Sequence, residues 1–180
     1  MTDPWHMLSP EERSLADMLD RYAAGELAPR AAETDETAAF VRPQLQGLAE
    51  LGLLGANLPE ADGGPGISAP ALLRAVAIIA GACGSTVSAL TAHFLATDSI
   101  LLGGTDAQRA HWLPRAATGE ILGAFGLTEP TAGSDPADMK TRARRSDTGW
   151  HLTGSKCFIS NGGEADFVEI GRASCRDRVC

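Results

Sequence analysis

Apolar residues recur every three or four positions from Ser9 to about Leu122, a spacing that predicts helices. Leu15, Met18, Leu19 and Tyr22 share one face of a first helix, expected to run towards Leu27. Its start is written in Ser9-Pro-Glu-Glu12, where a hydroxyl accepts a free backbone N–H, Pro suits the first turn and Glu reaches back. A second helix, over residues 37–51, carries Phe40, Val41, Leu45, Leu48 and Leu51, with Pro43 in its first turn or kinking it. Gly52 and Gly55 close it, and the acidic residues 33–36 read as a solvated helix start, where the dipole favours negative charge. Residues 59–66 form a turn-rich loop. Ser68 then caps an apolar helical region with Pro70 near its first turn, and Thr105-Asp-Ala-Gln108 opens a helix that reaches Ala117. After Gly123 the pattern changes. Residues 141–145 and 150–153 are short β-competent runs separated by Ser146-Asp-Thr-Gly149. Cys157-Phe-Ile-Ser160 reads as a further strand, Asn161-Gly-Gly163 as a turn, and residues 165–168 begin another apolar strand. Helices first and strands second predict an α+β fold: a helical domain over residues 1–122 and the beginning of a β domain over 123–168.

Charge and composition narrow the function. The 180 residues hold 15 Lys+Arg against 23 Asp+Glu, a formal net charge of -8, which argues against nucleic acid or an anionic membrane as partner. With 44% hydrophobic and 21% charged residues the chain can bury a core. Only Lys140 and Lys156 among the 15 basic residues are Lys, which points to a high-GC bacterial source. The first ten residues lack a basic segment leading into an apolar one, so a cytoplasmic protein is expected. Residues 69–102 contain only Arg74 and Asp98 as charges, but Gly81 and Gly84 interrupt the run, and a buried helix pair is a better reading than a membrane span. Cys83 and Cys157 have no partner spacing for metal and read as reduced thiols. Residues 169–180 shift abruptly towards Arg and Cys and closely resemble an in-frame translation of a common sequencing adapter. They are expected to be a non-native tail, the competing reading being Cys175 and Cys180 as a metal or disulfide pair.

The stretch with most chemistry is Phe125-Gly-Leu-Thr-Glu-Pro-Thr-Ala-Gly-Ser-Asp135, a strand end opening into a Pro/Gly loop. Successive free N–H groups in such a loop form a concavity for phosphate or pyrophosphate, with Thr128 and Ser134 as hydroxyl donors and Gly133 allowing close approach. An ordinary solvated turn fits the same residues. The loop is neither a Walker loop nor a Gly-x-Gly-x-x-Gly fingerprint.

Leu127-Thr-Glu-Pro-Thr-Ala-Gly-Ser-Asp135 resembles the first signature of the acyl-CoA dehydrogenase family. Leu48-Ala-Glu-Leu-Gly-Leu-Leu-Gly55, Leu58-Pro-Glu60, Gln108-Arg-Ala-His-Trp-Leu-Pro114 and Leu152-Thr-Gly-Ser-Lys-Cys-Phe-Ile-Ser-Asn-Gly162 follow in that family's order. The resemblance covers nearly all of residues 9–168. It implies a β-barrel-like middle domain, incomplete here, and FAD as cofactor. Phe125, Leu127 and Thr128 match contacts to the isoalloxazine, Gly133 and Ser134 match positions near the pyrophosphate, and Ser134 also matches a contact to the acyl-CoA thioester arm. Phe158, Ile159 and Ser160 match a strand flanking the flavin, with Ser160 close to N5. Phe158 stands where many members have Trp, and Asp138 where a small residue is usual. The implied reaction is α,β-dehydrogenation of an acyl-CoA thioester to trans-2-enoyl-CoA, with electrons passed to an electron-transfer flavoprotein. The implied Glu base belongs to a C-terminal helical domain absent from these residues, so no catalytic residue is assigned. Glu129 and Glu60 are not substitutes. The fragment is expected to be inactive alone and to bind FAD poorly; complete members form homotetramers or homodimers. Alternatives are an acyl-CoA oxidase or flavin-dependent monooxygenase of the same fold, and a non-catalytic helical interaction module.

Some residues invite over-reading. His93 is expected to be a hydrogen-bonded core or rim histidine, His111-Trp112 a helix packing face and His151 a strand position. Arg142, Arg144 and Arg145 read as a solvated strand face, with contact to CoA phosphates as the alternative.

Overall fold

The computed structural model describes residues 5–173. Helix α1 (Pro10–Tyr22) begins where its capping chemistry dictates: Ser9 Oγ accepts the Glu12 N–H at 3.2 Å, and Glu12 Oε2 accepts the Ser9 N–H at 2.9 Å. Glu12 Oε1 also takes the Ser68 N–H at 3.0 Å, so one carboxylate joins the starts of α1 and α4 (Ala69–Ala82). The chain does not leave the helix at Leu27. A π-turn (Ala23–Leu27) leads directly into α2 (Ala28–Thr37), because Ala23 and Leu27 both pack into the core and Pro29 falls in the first turn of α2, where its missing N–H costs nothing.

Thr37 therefore closes a helix instead of opening one, and the acidic residues 33–36 lie at a helix end, not a start. Glu33, Asp35 and Glu36 face solvent there, where screening keeps the unfavourable dipole interaction small. The chain turns at Ala38, in the left-handed region at φ 51°, and α3 (Arg42–Glu50) starts after Phe40 and Val41, with Pro43 in its first turn. Gly52, at φ 74°, ends it in the conformation that favours glycine.

Helix α4 and helix α5 (Gly84–Gly103) are separated by an extended Cys83, so the apolar region is a broken pair of helices. Among the described residues no helix is long and apolar enough to cross a membrane. Helix α6 (Asp106–Ala117) starts from a capping box of Thr105 and Gln108. Leu19, Leu27, Leu48, Ile79 and Leu90 form the centre of the helical core, each at most 1% exposed. Each such side chain contributes about 1.5–3 kcal/mol through burial.

Strand β1 (Gly123–Gly126) pairs in parallel with β4 (Phe167–Ile170), in a register that sets Gly123 opposite Phe167 and Gly126 opposite Ile170. Strands β2 (Arg142–Ser146) and β3 (Gly149–Thr153) form an antiparallel hairpin. The order of helices then strands gives the expected α+β fold. Two strand expectations are corrected. Residues 157–160 are not a strand: Phe158 adopts φ 57°, outside the β region, and among the described residues the segment's backbone bonds are the Cys157 N–H to the Thr128 carbonyl and the local Gly162 N–H to the Ile159 carbonyl. Strand β4 also continues past residue 168, because β1 offers backbone partners to Glu169 and Ile170 whatever their side chains. Cys175 and Cys180 lie outside the described residues.

Candidate functional site

Strand β1 delivers residues 125–128 to the edge of the helical domain, and the following turn is closed by two backbone bonds, Glu129 N to Ala132 O at 2.9 Å and Ala132 N to Glu129 O at 3.2 Å. Those bonds push Gly133 and Ser134 into solvent, with their consecutive N–H groups unbonded among the described residues. Gly133 has neither a positive φ nor a neighbour within 4 Å of a built Cβ, so the chain's own packing does not demand glycine there. Asp135 Oδ1 caps the Ala137 N–H at 2.9 Å, and Asp138 forms part of that 3-10 turn (Pro136–Asp138), its carboxylate on Lys140 Nζ. The turn thus accommodates the unusual Asp138.

Beneath the loop lies a buried ion pair that sequence reasoning missed. Lys156 Nζ donates to Glu129 Oε1 at 2.9 Å and to the Leu127 carbonyl at 2.8 Å, while Glu129 also accepts the Lys140 N–H at 2.6 Å and the Thr141 N–H at 2.9 Å. Hydrogen bonds from Thr141 and the Lys140 amide, with Lys156 beside them, hold the Glu129 carboxyl down to about 2 from its usual 4.5. A carboxylate so engaged is a structural anchor and a poor proton acceptor. The only advance signal was that Lys156 is one of two lysines in the chain.

The same anchor brings the second segment alongside the first. The Cys157 N–H donates to the Thr128 carbonyl at 3.1 Å, so residues 125–128 and 158–160 run side by side. Phe125, Leu127, Thr128 and Ile159 are half-buried, whereas Gly133, Ser134 and Ser160 are exposed. Phe158 is 93% exposed on a left-handed backbone, an aromatic face turned away from the core. The hydroxyls of Thr128, Ser134 and Ser160 have no hydrogen-bond partner among the described residues. Ser160 and Asn161 share a cleft of about 320 Å³ with Phe40 and with Ser85 and Ser88 at the start of α5, residues that sequence reasoning did not single out.

His93 is fully buried, and its Nδ1 accepts the Gly123 N–H at 2.9 Å, as a hydrogen-bonded core histidine should. Burial, opposed by the nearby backbone of Ala116 and Leu54, lowers its pKa to about 4. Trp112 packs its ring 5.0 Å from His111 and 5.4 Å from Phe167, while His151, Arg142, Arg144 and Arg145 stand exposed on the hairpin.

The family model described as "Acyl-CoA dehydrogenase, N-terminal domain" matches residues 9–120, and "Acyl-CoA dehydrogenase, middle domain" matches residues 124–176. The chain belongs to the acyl-CoA dehydrogenase family. Within it, the chain is 38% identical over 165 residues to acryloyl-CoA reductase (NADH) of Anaerotignum propionicum, covering 91% of this chain and 42% of that protein. The crystal structure of glutaryl-CoA dehydrogenase from Mycobacterium smegmatis superposes with a TM-score of 0.85 at 38% identity, covering 91% of this chain and 43% of that one. A glutaryl-CoA dehydrogenase from the same organism in complex with FADH2 gives 0.86 at 33% identity, with coverages of 93% and 44%. This chain therefore spans less than half the length of the relatives it matches. Its two matched regions meet where helices give way to strands.

Proposed function

We propose that these 180 residues carry the flavin-facing part of an FAD-dependent acyl-CoA dehydrogenase, which forms trans-2-enoyl-CoA from an acyl-CoA thioester and passes electrons to an electron-transfer flavoprotein. The observation that carries this reading is the Cys157-to-Thr128 backbone bond, which sets residues 125–128 beside 158–160. The residues present fit a flavin. Phe158 offers an exposed aromatic face, three hydroxyls are free to bond a ligand, and the consecutive N–H groups of Gly133 and Ser134 suit a pyrophosphate. A bound flavin supplies the hydride acceptor.

Phe125, Leu127 and Thr128 would contact the isoalloxazine, and Phe158, Ile159 and Ser160 would flank the flavin, with Ser160 close to N5. Gly133 and Ser134 would hold the pyrophosphate, and Ser134 would also contact the thioester arm of the substrate. Glu129 takes no proton, because its oxygens are committed to Lys156 and two backbone amides. The proton acceptor belongs to the half of the family chain that these residues do not cover.

Fluorescence titration and a turnover assay test this together. FAD added to the purified chain is expected to lose fluorescence weakly, Ser134→Ala combined with Phe158→Ala to abolish the quenching, and acyl-CoA with a dye acceptor to give no turnover. Absence of quenching by the unaltered chain overturns the flavin assignment in favour of a helical interaction module. Turnover would overturn the view that the base lies elsewhere.

A further inference from the structure

Gly123 opens β1 two residues before Phe125, and it has no slack: a Cβ there would lie 2.6 Å from the Phe167 ring and 2.8 Å from Ala96 Cβ on α5. The carbonyls of Leu122 and Gly126 accept from Phe167 and Gly171 on the β4 side. Strand alternation turns the polar groups of Gly123 to the opposite edge, where side chains meet them instead of another strand. His93 Nδ1 accepts the Gly123 N–H at 2.9 Å, and Asn161 Nδ2 donates to the Gly123 carbonyl at 3.1 Å. The same nitrogen donates to the Ala89 carbonyl at 2.8 Å, so both amide hydrogens are used, and two carbonyl acceptors fix which end of the amide faces them. Ala89 and His93 lie one turn apart on α5, both buried. Asn161 directly follows Ser160 and holds a left-handed φ of 64°, a conformation that asparagine tolerates better than most residues.

We propose that His93 and Asn161 are positioning residues, which grip both backbone polar groups of Gly123 and so set the register between segments 125–128 and 158–160. This rests on the flavin reading above for its functional meaning, but the mechanical claim is read without flavin. Helix α5 is the reference body: Ala89 holds Asn161, His93 holds Gly123, and the two segments emerge from that junction at a fixed spacing.

Native-state hydrogen exchange of the Gly123 and Cys157 amides tests the clamp, since Cys157 bonds Thr128 and reports the far end of the register. Asn161→Asp keeps the side chain's size but turns an oxygen towards two carbonyls; Asn161→Gly keeps the left-handed backbone and removes the donor. Both are expected to speed exchange at Gly123 and Cys157 together, by about tenfold or more. His93→Gln is expected to do the same. His93→Asn, whose Oδ1 takes the place of Nδ1, is expected to restore protection at both amides. Leu48→Ala is the control for a general loss of stability, which raises exchange without selecting these two amides. Should the His93 variants not fold, the Asn161 pair decides. Acceleration confined to Gly123, or wild-type protection in Asn161→Gly, overturns the clamp. FAD titration of the unaltered chain beside the variants separates the two claims. Coupled exchange in the variants with no flavin binding by the unaltered chain overturns the flavin assignment and leaves the clamp standing. Flavin binding by the unaltered chain without coupled exchange in the variants overturns the clamp.

Discussion

The helical region and the strand region are held together by different physics. Residues 10–117 close around Leu, Ile and Ala side chains, several of them fully buried, and their helix starts are fixed by local caps. The strand region buries less: β1 is enclosed, but in the hairpin every residue of β3 is exposed, and only Ala143 and Ser146 of β2 are half-buried. Order there comes instead from a few polar groups, namely the buried Glu129 with Lys156, the buried His93 and Asn161, and the exposed Asp166, which takes the Leu122 N–H at 2.8 Å. Apolar burial is insensitive to protonation, whereas a handful of polar anchors makes the strand region depend on charge state and on single atoms.

Breaking the apolar side should give the largest effect. Leu48→Ala, at a site 0% exposed, is expected to cost roughly 2–5 kcal/mol in denaturant unfolding followed by helical circular dichroism. Acid attacks the other side. His93 is lowered from 6.5 to about 4, so the unfolded chain binds the proton first, and stability is complete above pH 6.5 and falls as pH drops towards 4. The loss amounts to about 3 kcal/mol and should show as a shift in urea midpoint across that window. Glu129, lowered from 4.5 to about 2, contributes stability present above pH 4.5 and lost as pH falls through 2. Lys156→Met should move that lower transition to higher pH.

Gly123→Ala sharpens the comparison at the seam between the regions. Its Cβ would crowd Phe167 and Ala96, and a cost of about 1–3 kcal/mol is expected, with amide shifts concentrated in β1 and β4 and little change in α1 to α3. The smallest effect is expected from Ser9→Ala, which removes one half of a capping box and should cost about 1 kcal/mol by thermal melting.

The fate of the individual expectations follows the same division. Helix starts at Ser9, Ser68 and Thr105 were legible because a cap and its recipient N–H lie three residues apart. The end of the first helical stretch was not, because what carries the chain past Leu27 is the burial of Ala23 and Leu27 against distant side chains. In the candidate site, the loop from Phe125 to Asp135 and the turn at Asn161 were legible from their Gly, Pro and Asn content. The strand expected at residues 157–160 failed because its backbone conformation is set by what Lys156, Cys157 and Asn161 bond elsewhere in the fold.

By itself, then, the sequence determined the capped helices, their apolar faces, the helix-to-strand change near Gly123 and the motifs that mark the family. All of these depend on torsional preferences and hydrogen bonds within about one helical turn or one strand. The tertiary structure alone decided that Glu129 is an ionised anchor, that His93 accepts from Gly123, that Asn161 ties α5 to β1, and that Phe158 faces solvent. Those outcomes require groups far apart in the chain to meet in a buried place, where an unpaired polar atom is costly and its partner is chosen by packing.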